Sequence, residues 1–293
     1  MGGEGVGPPP PLITTTTQEK HNMTTAVKAK ANKNSTPAKR INILNRAWCD
    51  LSATIAGRQR IVPRAMDQKV SDEIAKKQAK VATKSSKDTA RDFIDEAYSG
   101  LYRFEKIITD DDTGEEVTMG APCEGTIYGI KAVALKKAVV RPFKTIDKYS
   151  MQDAKGGFHI EGPEGKVKDW RGRDDLIPII AEPVKQLSYT EIEVAKMLDM
   201  TTAEMESAVH EAHLYGANMR DDIVRIQSGA SIPRYRMEFN TWKIPFVVSF
   251  NRDWVSEEIL INAIDRAGME VGLCENRPEK SGDNWGTFQL VTK

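Results

Sequence analysis

Three stretches of the chain set cations beside aromatic rings or glycines, a combination that can grip a phosphate and stack a base. The first, "GIKAVALKKAVVRPFK" (129–144), carries Lys131, Lys136, Lys137, Arg141 and Lys144. The second, "PEGKVKDWRGRDD" (163–175), carries Lys166, Lys168, Trp170, Arg171 and Arg173. The third, "GLCENRPEKSGDNWGTFQLV" (272–291), has a Gly-rich tip with Arg277, Lys280 and Trp285 between two short apolar runs. Arg and Lys supply charge along a phosphate backbone, Trp170 and Trp285 offer stacking faces, and glycines let backbone N–H groups approach a phosphate. The second and third stretches also have a plain alternative: an exposed loop for the second, and for the third a hairpin that closes a sheet, where turn glycines need no other reason.

Catalytic chemistry has no comparable signature. The histidines His21, His159, His210 and His213 form no triad or metal set. His210 and His213 lie at i, i+3 around Glu211, which is not the H-E-x-x-H zinc spacing, and both read as exposed. Cys49, Cys123 and Cys274 are isolated, which argues against a disulfide framework and a zinc ribbon and suits a reducing cytoplasm. The acidic turn "ITDDDTGEE" (108–116) lacks the alternating ligands and closing Glu of an EF-hand and reads as a surface hairpin. The expectation is a protein that is not an enzyme and holds no metal and no small-molecule cofactor.

The positioning elements are legible to different degrees. The stretch 40–48 is the first with strand-like content, and 67–90 is a Lys/Ala-rich helix or connector. Phe93, Ile94, Ala97, Tyr98, Leu101 and Tyr102 recur on one helical face. In 129–144, Val133, Leu135, Ala138 and Val139 support a helix that Pro142 stops. Strands are expected at 158–162 and 176–183. Two helices at 188–216 form an insertion at about 185–220; the second carries Glu204, Glu206 and Glu211 and no Lys or Arg, so it is no duplex-reading helix. Strands at 222–229, 234–240 and 243–251 follow, the middle one with Tyr235, Met237 and Phe239 buried and Arg234, Arg236 and Glu238 wet. A helix then starts at Ser256, with Val255 and Leu260 as a staple, and closes at Gly268; the Gly-rich stretch is its following hairpin, with Leu273 and Phe288 inward.

The chain has 293 residues, with 42 Lys plus Arg and 42 Asp plus Glu. That balance hides an asymmetry: residues 1–90 hold 16 basic and 7 acidic side chains, and residues 91–293 hold 26 and 35. A basic arm on an acidic body suits either nucleic-acid contact or a solvated tail. Residues 1–39 are low-complexity and read as a disordered basic arm ahead of a single α+β domain, 40–293. "MGGEGVGPPPPLITTTT" lacks the pattern of a signal peptide, and no apolar run approaches the roughly 20 residues that span a bilayer.

The order of elements suggests a ferredoxin-like antiparallel sheet with helices on one face. "GIKAVALKKAVVR" (129–141) resembles the Lys-bearing helix of the RAMP superfamily, the RNA-binding backbone subunits of CRISPR effector complexes, and 272–288 is similar to its C-terminal Gly-rich loop. The ending Ala267, Gly268, Gly272, Arg277, Pro278, Lys280, Gly282, Gly286 and Phe288 also resembles that of an uncharacterised group of phage proteins. The acidic body and the helical insertion depart from the RAMP pattern. The resemblance implies RNA or single-stranded nucleic-acid binding by subunits that assemble side by side with copies of themselves in a bacterial cytoplasm. The alternative is a structural or assembly protein of a phage particle, located in the virion.

Overall fold

The computed structural model describes residues 47–65, 91–104, 106–109, 116–119, 126–146, 149–168, 175–225 and 231–291. The expected arm 1–39, the connector 67–90 and most of 40–48 lie outside them. The described residues all belong to the unit Asn45–Lys293. In chain order the elements are β1 (Trp48–Gly57), α1 (Phe93–Ser99), β2 (Tyr102–Arg103), β3 (Lys106–Thr109), β4 (Glu116–Met119), β5 (Tyr128–Lys131) and α2 (Ala132–Val140). A 3-10 turn (Arg141–Thr145) leads to α3 (Met151–Gly157), β6 (Phe158–Glu161), β7 (Val167–Lys168) and β8 (Asp175–Pro178). The last part holds α4 (Tyr189–Met197), α5 (Thr202–Leu214), β9 (Ala217–Arg225), β10 (Ser231–Phe239), β11 (Lys243–Asn251), α6 (Glu257–Glu270), α7 (Pro278–Ser281) and β12 (Phe288–Leu290).

The protein is α+β, with antiparallel pairing throughout its described ladders. One sheet has the order β12-β1-β11-β6; a second has the order β2-β5-β8-β7; β3–β4 and β9–β10 are hairpins. Alternation builds the first sheet. In β11, Ile244, Phe246, Val248 and Phe250 are buried, while Pro245, Val247, Ser249 and Asn251 are only half-buried. Registered partners share a face, so Cys49, Leu51, Ala53 and Ile55 of β1 join the buried side. Phe158 and Ile160 of β6 and Phe288 of β12 complete it. Helices α2 and α6 pack on each other and on the sheet's outer strands, and Leu135, Val139, Leu260 and Ile264 belong to the same core.

Several boundaries differ from the sequence reading. Helix α1 ends at Ser99, so Leu101 and Tyr102 lie beyond it, and the strand expected at 222–229 is β9, which starts at Ala217. Within β10, Tyr235, Met237 and Phe239 are buried as expected, but Arg236 and Glu238 are buried too, at 7% and 5% exposure. Helix α6 is capped by Ser256, with Val255 and Leu260 buried, but it runs through Gly268 to Glu270. Gly272, at φ 70°, closes it, its N–H donating to the Ala267 carbonyl. Residues 272–291 are not a hairpin, because β12 pairs with β1. The intervening segment is an irregular loop around α7, pinned by the Leu273 N–H donating to the Gly286 carbonyl.

Candidate nucleic-acid interface

Helix α2 is built from Ala, Leu and Val that bury one side, which leaves its lysines along the other. Lys137, Arg141 and Lys144 are exposed. Lys131 is half-buried, its Nζ 5.2 Å from the centre of the Tyr102 ring, and Lys136 sets its Nζ 5.7 Å from that of Phe158. Burial pulls the Lys136 ammonium below the usual lysine range. Pro142 ends the α-helical bonding and opens the 3-10 turn that carries Lys144.

The loop after α6 meets this helix at one carboxylate. Arg141 Nε lies 2.8 Å from Glu279 Oε1, and Arg277 Nε lies 3.5 Å from Glu279 Oε2. The Arg277 guanidinium also donates to the Cys274 carbonyl at 3.1 Å. Lys280, next in the chain, is exposed. Thus two of the three predicted stretches converge at Glu279, through Arg141 and Arg277. Cys274, walled in by this loop, has its thiol pushed up to about 12 by burial and by Glu275.

Trp285 is not the free stacking face that the sequence suggested. It is half-buried under Arg220, whose guanidinium lies 4.2 Å from the ring centre, with Arg60 at 6.0 Å. These arginines belong to an ion network on the polar side of β9–β10. Glu238 meets Arg220 at 2.7 Å and Arg60 at 3.1 Å; Asp222 meets Arg220 at 2.6 Å and Arg236 at 3.2 Å; Glu275 meets Arg64 at 3.1 Å and Arg236 at 3.6 Å. Burial lowers the Arg236 pKa, and its Nε is buried without a hydrogen-bond partner. Trp285 caps this network, so its role is structural.

In the second stretch, Lys168 pairs with Asp175 through the β7–β8 ladder, while Trp170, Arg171 and Arg173 lie outside the described residues.

Sequence reasoning missed a different aromatic pair. Trp48 and His159 stack with ring centres 5.3 Å apart and planes 26° apart. Both lie on the outward side of the first sheet, where Trp48 opposes Asn251 and His159 opposes Ser249. The signal was available: alternation in "WCDLSATIAG" sets Trp48, Asp50 and Ser52 on one side. Burial, then the fields of Lys136 and Lys166, hold the His159 imidazole below its ordinary pKa against the opposing pull of Glu161.

Of the helical histidines, His210 is exposed but His213 is buried, which corrects the expectation for it. His213 Nε2 lies 3.0 Å from the fully buried Glu191, which also accepts from the backbone N–H groups of Met219 at 2.8 Å and Ser188 at 2.6 Å. This carboxylate ties α4 to α5 and β9.

Among the described residues, no three His, Cys, Asp or Glu side chains group to hold a metal ion, and no helix is long and apolar enough to cross a membrane. No protein-family model matches the chain, and no curated protein matches it.

Proposed function

We propose that this is a non-enzymatic, phage-type protein that binds RNA or single-stranded nucleic acid through the basic surface around Glu279. The observation that carries the reading is the double contact of Glu279 with Arg141 and Arg277, which merges the basic helix and the Gly-rich loop into one patch. Lys137 and Lys144, three or four residues from Arg141 in the chain, and Lys280, next to Glu279, are exposed, as phosphate-tracking cations must be.

The first sheet is, on this reading, a ferredoxin-like sheet of the RAMP kind. In its support, β1, β6, β11 and β12 follow one another as first to fourth strands of that sheet, α2 comes between the first two and α6 between the last two, and the spatial order is fourth-first-third-second. The second sheet and the α4–α5 pair are then insertions, in keeping with a subunit that lines up with its copies on one strand of nucleic acid.

Anisotropy of a fluorescent 20-nucleotide oligo(U) with the full chain tests this at 50 and 200 mM salt. Single strands lose affinity with a slope of about −0.7 per phosphate contact. Five contacts therefore weaken binding by roughly 100-fold over that range. The double substitution Lys137→Glu, Arg141→Glu abolishes binding with the far-UV circular dichroism unchanged. Full binding by that variant removes the basic surface as the site.

A specific observation favours the second reading, an assembly protein of a phage particle. Tyr189, Ile192 and Met197 of α4 are exposed, at 77%, 41% and 55%, and Ile223 of β9 is 78% exposed. Sedimentation velocity across a concentration series distinguishes the two: this reading requires association that Tyr189→Asp weakens, without any need for nucleic acid.

A further inference from the structure

We infer that the outward face of the β12-β1-β11-β6 sheet, with Trp48 stacked on His159, is a platform for the bases of a single-stranded nucleic acid. This rests on the nucleic-acid reading above and adds where the bases lie, on the side of the sheet away from α2 and α6.

Three observations converge. Trp48 is 38% exposed at an outward register position, although a tryptophan contributes most to stability when buried. Its ring is held by His159, so the π-face is pre-oriented and little rotamer freedom remains to be lost on stacking. The surrounding outward positions carry short or polar side chains: Asp50, Ser52 and Thr54 on β1, and Val247, Ser249 and Asn251 on β11. They leave the ring pair standing above the sheet.

Charge selects the occupant. Lys136 sets its Nζ 5.7 Å from the ring centre of Phe158, the residue before His159 in β6, and Lys166 follows the same strand in the chain; the fields of both reach the His159 ring. Cations along the strand that carries His159 suit the alternation of phosphate and base along a single strand. On the same face, Asp50 accepts a hydrogen bond from the Ser249 hydroxyl at 2.6 Å, and the field of Glu161 opposes those of the lysines at the His159 ring. An apolar peptide is a poorer match, because it has no use for the flanking lysines. Lys136 also lies on α2, so one strand can run from the basic surface around Glu279 over the β6 edge onto the platform.

The test uses the full chain with two fluorescent probes of equal length, a 20-nucleotide oligo(U) and an abasic strand. Trp48→Ala and His159→Ala are each expected to weaken oligo(U) binding by roughly tenfold, the scale of one lost base–aromatic stack. Neither should change binding of the abasic strand, and Trp48→Phe should keep wild-type affinity for both. Ultraviolet crosslinking of 5-iodouridine-substituted oligo(U) should place adducts on Trp48 or His159. If Trp48→Ala and His159→Ala keep full affinity while Lys137→Glu, Arg141→Glu loses it, the platform is wrong and the basic surface stands. Equal losses on both probes also overturn it, since Trp48 would then act through the fold. If the wild type binds neither probe, the nucleic-acid reading and the platform fall together.

Discussion

Arg141 Nε stands 2.8 Å from Glu279 Oε1, which joins the end of a basic helix to a loop from the far end of the chain. Both partners are partly exposed, at 53% and 29%, so the pair adds at most about 1 kcal/mol to stability. Its larger consequence is electrostatic, because Glu279 places one negative charge between two arginines. Glu279→Gln should therefore tighten oligo(U) binding at low salt by about fivefold, the worth of one unit charge at contact distance in water. Anisotropy at 50 mM salt reads this directly. A weaker complex would mean that Glu279 matters more for ordering the arginines than for opposing the phosphates.

The network under Trp285 should govern stability. Glu238 is 6% exposed at its side chain and is shared by Arg220 and Arg60. Removing Glu238 leaves the half-buried Arg220 with Asp222 alone and takes a partner from Arg60, at a cost of about 1–3 kcal/mol. Glu238→Ala should lose that much in urea unfolding. Arg60→Ala, at a side chain 40% exposed, should lose less than about 1 kcal/mol. Equal losses would show that the network is not graded by burial.

Stability should also fall in acid through Glu191. Burial alone would raise its pKa, but hydrogen bonds from His213, Met219 and Ser188 outweigh burial and bring it below the ordinary carboxylate value. The unfolded chain then takes up the proton first as the pH drops. The stabilisation is complete above the ordinary range near pH 4.3 and is lost as the pH falls through the depressed folded value. Glu191→Gln should cost about 1–3 kcal/mol at pH 7, with the gap to wild type narrowing towards pH 3. Urea midpoints at pH 7, 5, 4 and 3 measure it; a gap that stays constant assigns the loss to packing.

What the sequence made legible was what it writes locally. Helices α4 and α5 each begin with a reciprocal cap, Ser188 with Glu191 and Thr201 with Glu204, and β11 alternates cleanly over its length. The strand pattern of β10 was also legible, but its wet face was not. Arg236 and Glu238 are covered by Arg60, Glu275 and the loop of Trp285, which come from distant parts of the chain. The ending looked like a hairpin because its two apolar runs are near in sequence, yet β12 finds its partner in β1. At the candidate site, the sequence identified the cations of α2 and the loop but not Glu279 as their meeting point. It also took Trp285 for the stacking ring, when Trp48 stands at the outward register position.

Two glycines in helices should respond with opposite signs to the same substitution. Alanine is favoured over glycine in a helix by about 1 kcal/mol when the site is open. Gly156 of α3 is exposed, and an added Cβ there meets nothing within 4 Å, so Gly156→Ala should stabilise by about 0.5–1 kcal/mol. At Gly268 of α6 a Cβ would come within 2.1 Å of the Phe288 carbonyl oxygen, a backbone atom that cannot swing aside. The helix must then move off β12, and overpacking of this kind costs about 1–3 kcal/mol, more than the propensity gain. Gly268→Ala should therefore destabilise on balance and loosen β12 from β1, visible as faster amide exchange at the backbone N–H of Val291, which donates to the Thr54 carbonyl at 2.8 Å. A stabilised Gly268→Ala variant would mean that α6 and β12 have room to separate without loss, and that the seam between them is not close-packed.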